Sequence, residues 1–272
     1  MVTPPLEVRD LGYGYDGRPI LDGVSFSLSP GEVLGILGPN GCGKTTLLRN
    51  LNRNLRPKGG CVLLDGNDLE NLQKRDIARK VAAVPQTNEI SFAFTVRDIV
   101  EMGRMPFQEA FRGSTSEDER IVREAMEQAG VAHMADRRIN TMSGGERQRT
   151  IIARALAQTP NVLLMDEPTL HLDVSMQFDV LDLVRRLSRE SGLTVVLVSH
   201  DLPMVARYCD RIILLHDRRV FAVGTPEEVL TPGNMRTVFS VDARYETDER
   251  GNPTVRLFGA CHDDSDDTGT RR

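Results

Sequence analysis

The sequence predicts an α/β protein: a sheet rich in parallel strands, layered with helices and interrupted by one helical insertion. Three observations carry that expectation. Apolar residues arrive in short continuous blocks, at 33–37, 62–64, 162–165, 195–198 and 212–215, and a strand buried on both faces needs no polar alternation. Helical periodicities separate several of these blocks, the pattern of α/β folds. The first block runs into a glycine-rich turn followed by a helical pattern.

Composition bounds what such a fold can do. With 272 residues, 40% of them apolar and 27% charged, the chain has material for one large packed domain or two small ones. A net charge of −5 argues against a protein that coats nucleic-acid phosphates, and 5% aromatics with no Trp supply no base-stacking platform. The apolar runs fall far short of the roughly 20 residues a spanning helix needs. The first eleven residues hold no basic start or apolar block, so no signal peptide is expected. Cys42, Cys61, Cys209 and Cys261 are scattered, with no C-x-x-C pair and no histidine at ligand spacing, which speaks against a metal site or a disulfide framework. The composition is that of a soluble cytosolic protein.

The elements follow in order. The strand at 33–37 leads into Gly38-Pro39-Asn40-Gly41-Cys42-Gly43-Lys44-Thr45, a full match to G-x-x-x-x-G-K-[ST]. Glycines let successive N–H groups turn inward around a phosphate, and the helix expected at 46–51 presents its positive N-terminal end. Lys44 would reach the β- and γ-phosphates of ATP, and the Thr45 hydroxyl would ligate Mg²⁺. From about residue 87 no strong strand block occurs, and 87–148 reads as a helical insertion with loops around Pro106 and Gly113. Its clearest helix spans 117–129, with Ser116 and Glu119 forming a capping box and Ile121, Val122, Ala125, Met126 and Ala129 on one stripe. Another helix is expected from Thr150 to Gln158. The strand at 162–165 ends in Asp166-Glu167, where ligands meet such sheets; Asp166 would hold Mg²⁺ and Glu167 would polarise the attacking water. A helix over 174–189 and the strands at 195–198 and 212–215 complete the core. Residues 226–272 are more polar and form an extension whose acidic tail, from about 261, is expected to be frayed.

Between the insertion and the second acidic strand lies Met142-Ser143-Gly144-Gly145-Glu146, followed by a basic helical pattern. Here the chain resembles the ATP-binding subunits of ABC transporters, whose signature is Leu-Ser-Gly-Gly-Gln; Met142 and Glu146 depart from it. The resemblance runs from about Leu6 to Gly224. It implies a P-loop NTPase (RecA-like) core with an N-terminal antiparallel β portion and an inserted helical subdomain, all within an ATPase domain of 1–225. Tyr15 matches the aromatic that stacks on adenine, with Tyr13 as a rival. Gln86 matches the glutamine that senses Mg²⁺ and water, and Asp173 lies in the loop that crosses to a partner. His200 matches the switch histidine at the γ-phosphate, and Thr46 closes the phosphate loop.

The resemblance further implies that Ser143, Gly144, Gly145 and Glu146 grip ATP bound by a second copy, in a head-to-tail dimer. It also implies a separate membrane permease docked near 95–108, a substrate-binding protein acting indirectly, and a place at the cytoplasmic face of the membrane. Gly103-Arg104-Met105-Pro106 is similar to importers for iron–siderophore complexes, haem and cobalamin. A soluble ABC ATPase, such as an iron–sulfur assembly scaffold, is the competing class, and co-purification with membranes separates the two. A nucleic-acid-handling ABC protein would bring a long coiled coil, zinc-binding cysteines or tandem cassettes, none of which occurs. Cys42, beside Lys44 and a helix N-terminus, is expected to have a lowered thiol pKa, so that alkylation blocks hydrolysis and ATP protects.

Overall fold

The computed structural model describes residues 3–86, 93–108 and 113–261. The chain opens with strands β1 (Leu6–Tyr15), β2 (Arg18–Ser27) and β3 (Val33–Leu37), then helix α1 (Lys44–Leu51). Strands β4 (Gly59–Leu64) and β5 (Asn67–Asp68), helix α2 (Lys74–Lys80) and strand β6 (Val81–Val84) follow. Helices α3 (Val96–Glu101), α4 (Ser116–Gln128) and α5 (Gly144–Leu156) make the insertion. The core resumes with β7 (Val162–Asp166), α6 (Val174–Ser191), β8 (Thr194–Val198), α7 (Leu202–Tyr208), β9 (Arg211–His216) and β10 (Arg219–Gly224). Helices α8 (Pro226–Val229) and α9 (Pro232–Phe239) and a hairpin of β11 (Val241–Thr247) and β12 (Pro253–Ala260) close the described chain.

Two sheets carry the structure. The larger has the order β10-β9-β3-β8-β7-β6, parallel throughout except for the antiparallel edge β10. The smaller is antiparallel, in the order β2-β1-β4-β5. The unalternating apolar blocks have a direct cause, because successive residues of one strand enter different cores. Leu34, Ile36, Val196 and Val198 face the small sheet and α1, where Leu6, Val24, Val62 and Leu47 meet them. Val33, Leu37, Val195 and Leu197 face the other way, onto Ile151 of α5, Leu181 of α6 and Val205 of α7. Each such side chain, fully buried, contributes about 1.5–3 kcal/mol relative to exposure.

Three sequence expectations change here. The block at 62–64 lies in β4 of the antiparallel sheet, not in the parallel one. Strand β6, Val-Ala-Ala-Val, was not expected, and it forms the parallel edge next to β7. The capping box of α4 sits one residue earlier: Thr115 Oγ1 accepts from the Asp118 N–H at 3.1 Å, and Asp118 Oδ2 accepts from the Thr115 N–H at 3.1 Å. Residues 226–260 pack into the core through Val229, Leu230, Met235 and Val255. The acidic tail lies outside the described residues from 262 onward. Among the described residues no helix is long and apolar enough to cross a membrane.

Candidate functional site

Central strand β3 ends at Leu37 and hands the chain to a loop that folds back to start α1 at Lys44. Two glycines make this turn possible. Gly38 has φ +153°, and a Cβ there would lie 2.4 Å from the Leu215 carbonyl oxygen. Gly43 has φ +105°, and a Cβ would lie 2.8 Å from Leu21 Cδ2. Only glycine fits both the conformation and the space. Lys44 Nζ donates to the carbonyls of Gly38 at 2.8 Å and Pro39 at 3.1 Å, which holds the ammonium over the loop. A cavity of about 300 Å³ opens at this place, lined by Ile20, Asn40, Gly41, Gly43, Lys44, Thr45, Thr46, Gln86 and Glu167. Loop N–H groups, a helix N-terminus and a lysine together form a site for a polyanion.

The C-terminal ends of β7 and β8 supply the rest. Thr45 Oγ1 donates to Asp166 Oδ1 at 3.3 Å. Burial pushes the Asp166 carboxyl above its usual range; the Thr45 hydroxyl opposes that, and the neighbouring charge of Glu167 adds to it. Glu167 stands in the left-handed region at φ +48°, a strained conformation held by its N–H to the Val198 carbonyl at 2.9 Å. That turn aims its carboxylate at His200, whose Nδ1 lies 3.0 Å from Glu167 Oε2. Gln86, just beyond β6, lines this cavity and an adjoining one of about 280 Å³ shared with Thr45 and Asp166. Thr45 and Asp166 are hard oxygen donors side by side, and no cluster of three metal-ligating side chains occurs among the described residues. Such a donor set suits Mg²⁺, which binds one or two protein oxygens and completes its shell with phosphates and water.

Ser143, Gly144, Gly145, Glu146 and Asp173 line neither cavity and form a second cluster. Ser143 caps α5 in a reciprocal box with Glu146: the Ser143 N–H donates to Glu146 Oε2 at 2.9 Å, and the Glu146 N–H to Ser143 Oγ at 3.3 Å. Asp173 caps α6 by accepting from the Met176 N–H at 2.9 Å. The two helix starts abut, since a Cβ on Gly145 would lie 2.6 Å from Met176 Sδ and one on Gly144 3.2 Å from Leu172 Cδ2. The phosphate-loop cavity and this pair of capped helix starts are thus two separate clusters in one chain.

Comparison with known proteins decides the kinship. The sequence model described as ABC transporter matches residues 21–170. The chain belongs to the ABC transporter family. It is 41% identical over 252 residues to the iron(3+)-hydroxamate import ATP-binding protein of Bacillus subtilis, covering 93% of this chain and 94% of that one. It is 42% identical over 258 residues to the hemin import ATP-binding protein of Bordetella pertussis, covering 92% and 96%. Among solved structures, a metal-chelate type ABC transporter in an inward-facing conformation superposes with a TM-score of 0.83 at 30% identity, over 94% of this chain and 97% of that one. The fold expected from the sequence, an ABC-type P-loop NTPase with an antiparallel β portion, is therefore the fold observed.

Several local features of this ABC protein were not legible beforehand. Ile20 of β2 lines the phosphate-loop cavity, so the antiparallel sheet forms one wall of it. Tyr15 is 41% exposed at the end of β1, edge-on to Tyr13 with ring centroids 5.1 Å apart. Tyr13 also has Lys58 Nζ 5.8 Å from its ring centroid. Glu146 uses its carboxylate for the capping box and for an ion pair with Arg137 at 3.4 Å. The Cys42 expectation is reversed: the side chain is buried, and burial raises the thiol pKa more than Lys44 lowers it.

Proposed function

We propose that this ABC protein is the ATP-hydrolysing subunit of an importer, and that it closes on a second copy of itself when ATP binds. The observation that carries this reading is the division of the phosphate-gripping residues. Lys44, Thr45, Gln86 and Glu167 converge on one cavity, whereas Ser143, Gly145 and Asp173 converge elsewhere. A head-to-tail pair brings the second cluster of one copy over the cavity of the other and completes both sites. The phosphate loop and Lys44 hold the β- and γ-phosphates, and Tyr15 stacks on the adenine. Thr45, Asp166 and Gln86 would hold Mg²⁺, which would supply positive charge against the phosphates. Glu167 polarises the attacking water, and His200, already bonded to Glu167, meets the γ-phosphate.

The cargo class we propose is an iron–siderophore, haem or cobalamin-type molecule, delivered by a binding protein and carried across the cell membrane by a separate permease, with this chain at its cytoplasmic face. The names of the iron-hydroxamate and hemin relatives support it, as does Gly103-Arg104-Met105-Pro106. Two experiments test the proposal. Glu167→Gln should cut hydrolysis at least about 100-fold yet form a dimer on adding ATP; hydrolysis strictly first order in protein with no such dimer would overturn the scheme. Cells without the chain should lose uptake of one such chelate, and normal uptake of all three classes would remove the cargo assignment.

A further inference from the structure

Helix α2 holds the helical insertion from outside its own sequence. Arg75 Nε donates to the Pro106 carbonyl at 2.7 Å and Arg75 Nη2 to the Gln108 carbonyl at 2.8 Å. Arg79 Nε donates to the same Pro106 carbonyl at 3.1 Å. Between these carbonyls the Phe107 ring is met by the Arg79 guanidinium at 5.3 Å and the Arg104 guanidinium at 3.8 Å. Arg104 is fixed in turn: it is buried, pairs with Asp118 at 2.8 Å and donates to the Ala157 carbonyl at 2.8 Å. The limb 102–108 is thus held from the core side by α2 and, through its own Arg104, to Asp118 of α4 and the Ala157 carbonyl after α5.

Helix α2 is bonded to the core as well as to the limb. It runs without a break into β6, whose end places Gln86 in the nucleotide cavity. Its Ala78 carbonyl accepts from Gln158 Nε2 at 2.8 Å, and its Lys80 carbonyl accepts from the Asn161 N–H at 2.8 Å. These bonds tie α2 to the segment that joins α5, the helix capped by Ser143, to β7. We infer that Arg75 and Arg79 are positioning residues that make the 102–108 limb follow the nucleotide state read at Gln86. The covalent connection through residue 87 and beyond is one link between the cavity and the insertion. The arginine clasp is a second, on the far side of β6, and two links define an orientation where one defines only a reach. The inference rests on the proposed ATP-driven function and adds to it the route by which the limb is informed.

The test compares wild type with the Arg75→Met/Arg79→Met variant as full chains, by hydrogen exchange of the peptide spanning 102–108, with and without a non-hydrolysable ATP analogue. Wild type should show a nucleotide-dependent change in protection of about fivefold or more in that peptide. The variant should lose that change while its analogue affinity and ATPase rate stay within twofold. Arg75→Lys, which reaches one carbonyl and not two, should retain an intermediate response. A variant that keeps the full response, or a wild type that has none, overturns the inference. Either outcome leaves the Glu167→Gln dimer and the uptake measurement standing. Should the double variant fold poorly by thermal melt, Arg75→Met alone decides: it keeps an apolar stem and removes two of the three carbonyl bonds, and an unchanged response would equally overturn the clasp.

Discussion

The strongest stability prediction concerns the ion pair at the centre of the helical insertion. Arg104 and Asp118 have side-chain exposures of only 6% and 9%, with Nε and Oδ1 2.8 Å apart. The Asp118 carboxylate also accepts from the Thr115 N–H and from Thr115 Oγ1, at 3.1 and 2.7 Å. Asp118→Ala strands a buried guanidinium and removes half of a capping box. Breaking one partner of a buried pair costs about 3–5 kcal/mol, against a total stability of roughly 5–15 kcal/mol for a typical domain. At about 2–4 °C per kcal/mol for a large domain, the melting temperature should fall by roughly 6–20 °C. Arg104→Met combined with Asp118→Asn removes both charges and keeps the acceptor for Thr115, so it should recover much of that loss. The coupling energy in the double-mutant cycle should be at least about 1.5 kcal/mol.

The same pair fixes a pH dependence. The hydrogen bond from Arg104 holds the Asp118 carboxyl below the usual carboxylate range, so the native state keeps it ionised where the unfolded chain protonates it. The contribution is fully present above the unfolded value, about 3.9, and is lost as pH falls through the lower native one. Wild type and Asp118→Asn should therefore begin to approach each other in stability below about pH 4 and converge only below the lowered native value. Melting curves of the four cycle members at pH 7 and at low pH decide the matter. A single variant that melts within 2 °C of wild type, or a cycle with no coupling, refutes the reasoning.

Three further outcomes follow from the site. Gly38→Ala places a Cβ 2.4 Å from the Leu215 carbonyl oxygen; it should cost at least about 1–3 kcal/mol in chemical denaturation and abolish ATP binding by calorimetry. Asp166→Asn should raise the melting temperature of the nucleotide-free protein at neutral pH, because burial disfavours the charged carboxylate. The raised native pKa means that wild type loses stability as pH rises through it, a slope the Asn variant should lack, while magnesium-dependent ATP binding is lost. Iodoacetamide at pH 7 should modify the half-exposed Cys61 and Cys261 before the buried Cys42; peptide mass spectrometry showing Cys42 first would contradict the raised thiol pKa.

What the sequence disclosed and what it hid divide along a physical line. Strands β3, β7, β8 and β9 were legible because both faces are buried, so local composition alone marks them. Strand β6 was not, because its centre is Ala82-Ala83 and the edge of the sheet asks for little apolar bulk. At 115–119 the chain reads Thr-Ser-Glu-Asp-Glu, in which two frames satisfy the capping-box pattern. A distant residue chooses between them, since only the frame beginning at Thr115 makes Asp118 the box partner that also meets Arg104. Cys42 misled for a similar reason. Its sequence neighbours lower a thiol pKa as expected, and the three-dimensional burial that outweighs them has no local signature.

Gly103-Arg104-Met105-Pro106 shows where that line falls for function. From sequence it is a family mark, naturally read as a surface for a partner. In the structure a Cβ on Gly103 would lie 2.2 Å from the Arg154 carbonyl oxygen, Arg104 is buried in its ion pair, and the Pro106 carbonyl is claimed by Arg75 and Arg79. Those three positions shape backbone. Met105, 67% exposed, is the member left to face outward. Methionine is a side chain that adapts to apolar surfaces of varied shape. Gly103, Arg104 and Pro106 therefore build the limb and Met105 is left to meet what docks there, so under the proposed importer function Met105→Asp should weaken permease association more than it disturbs the fold.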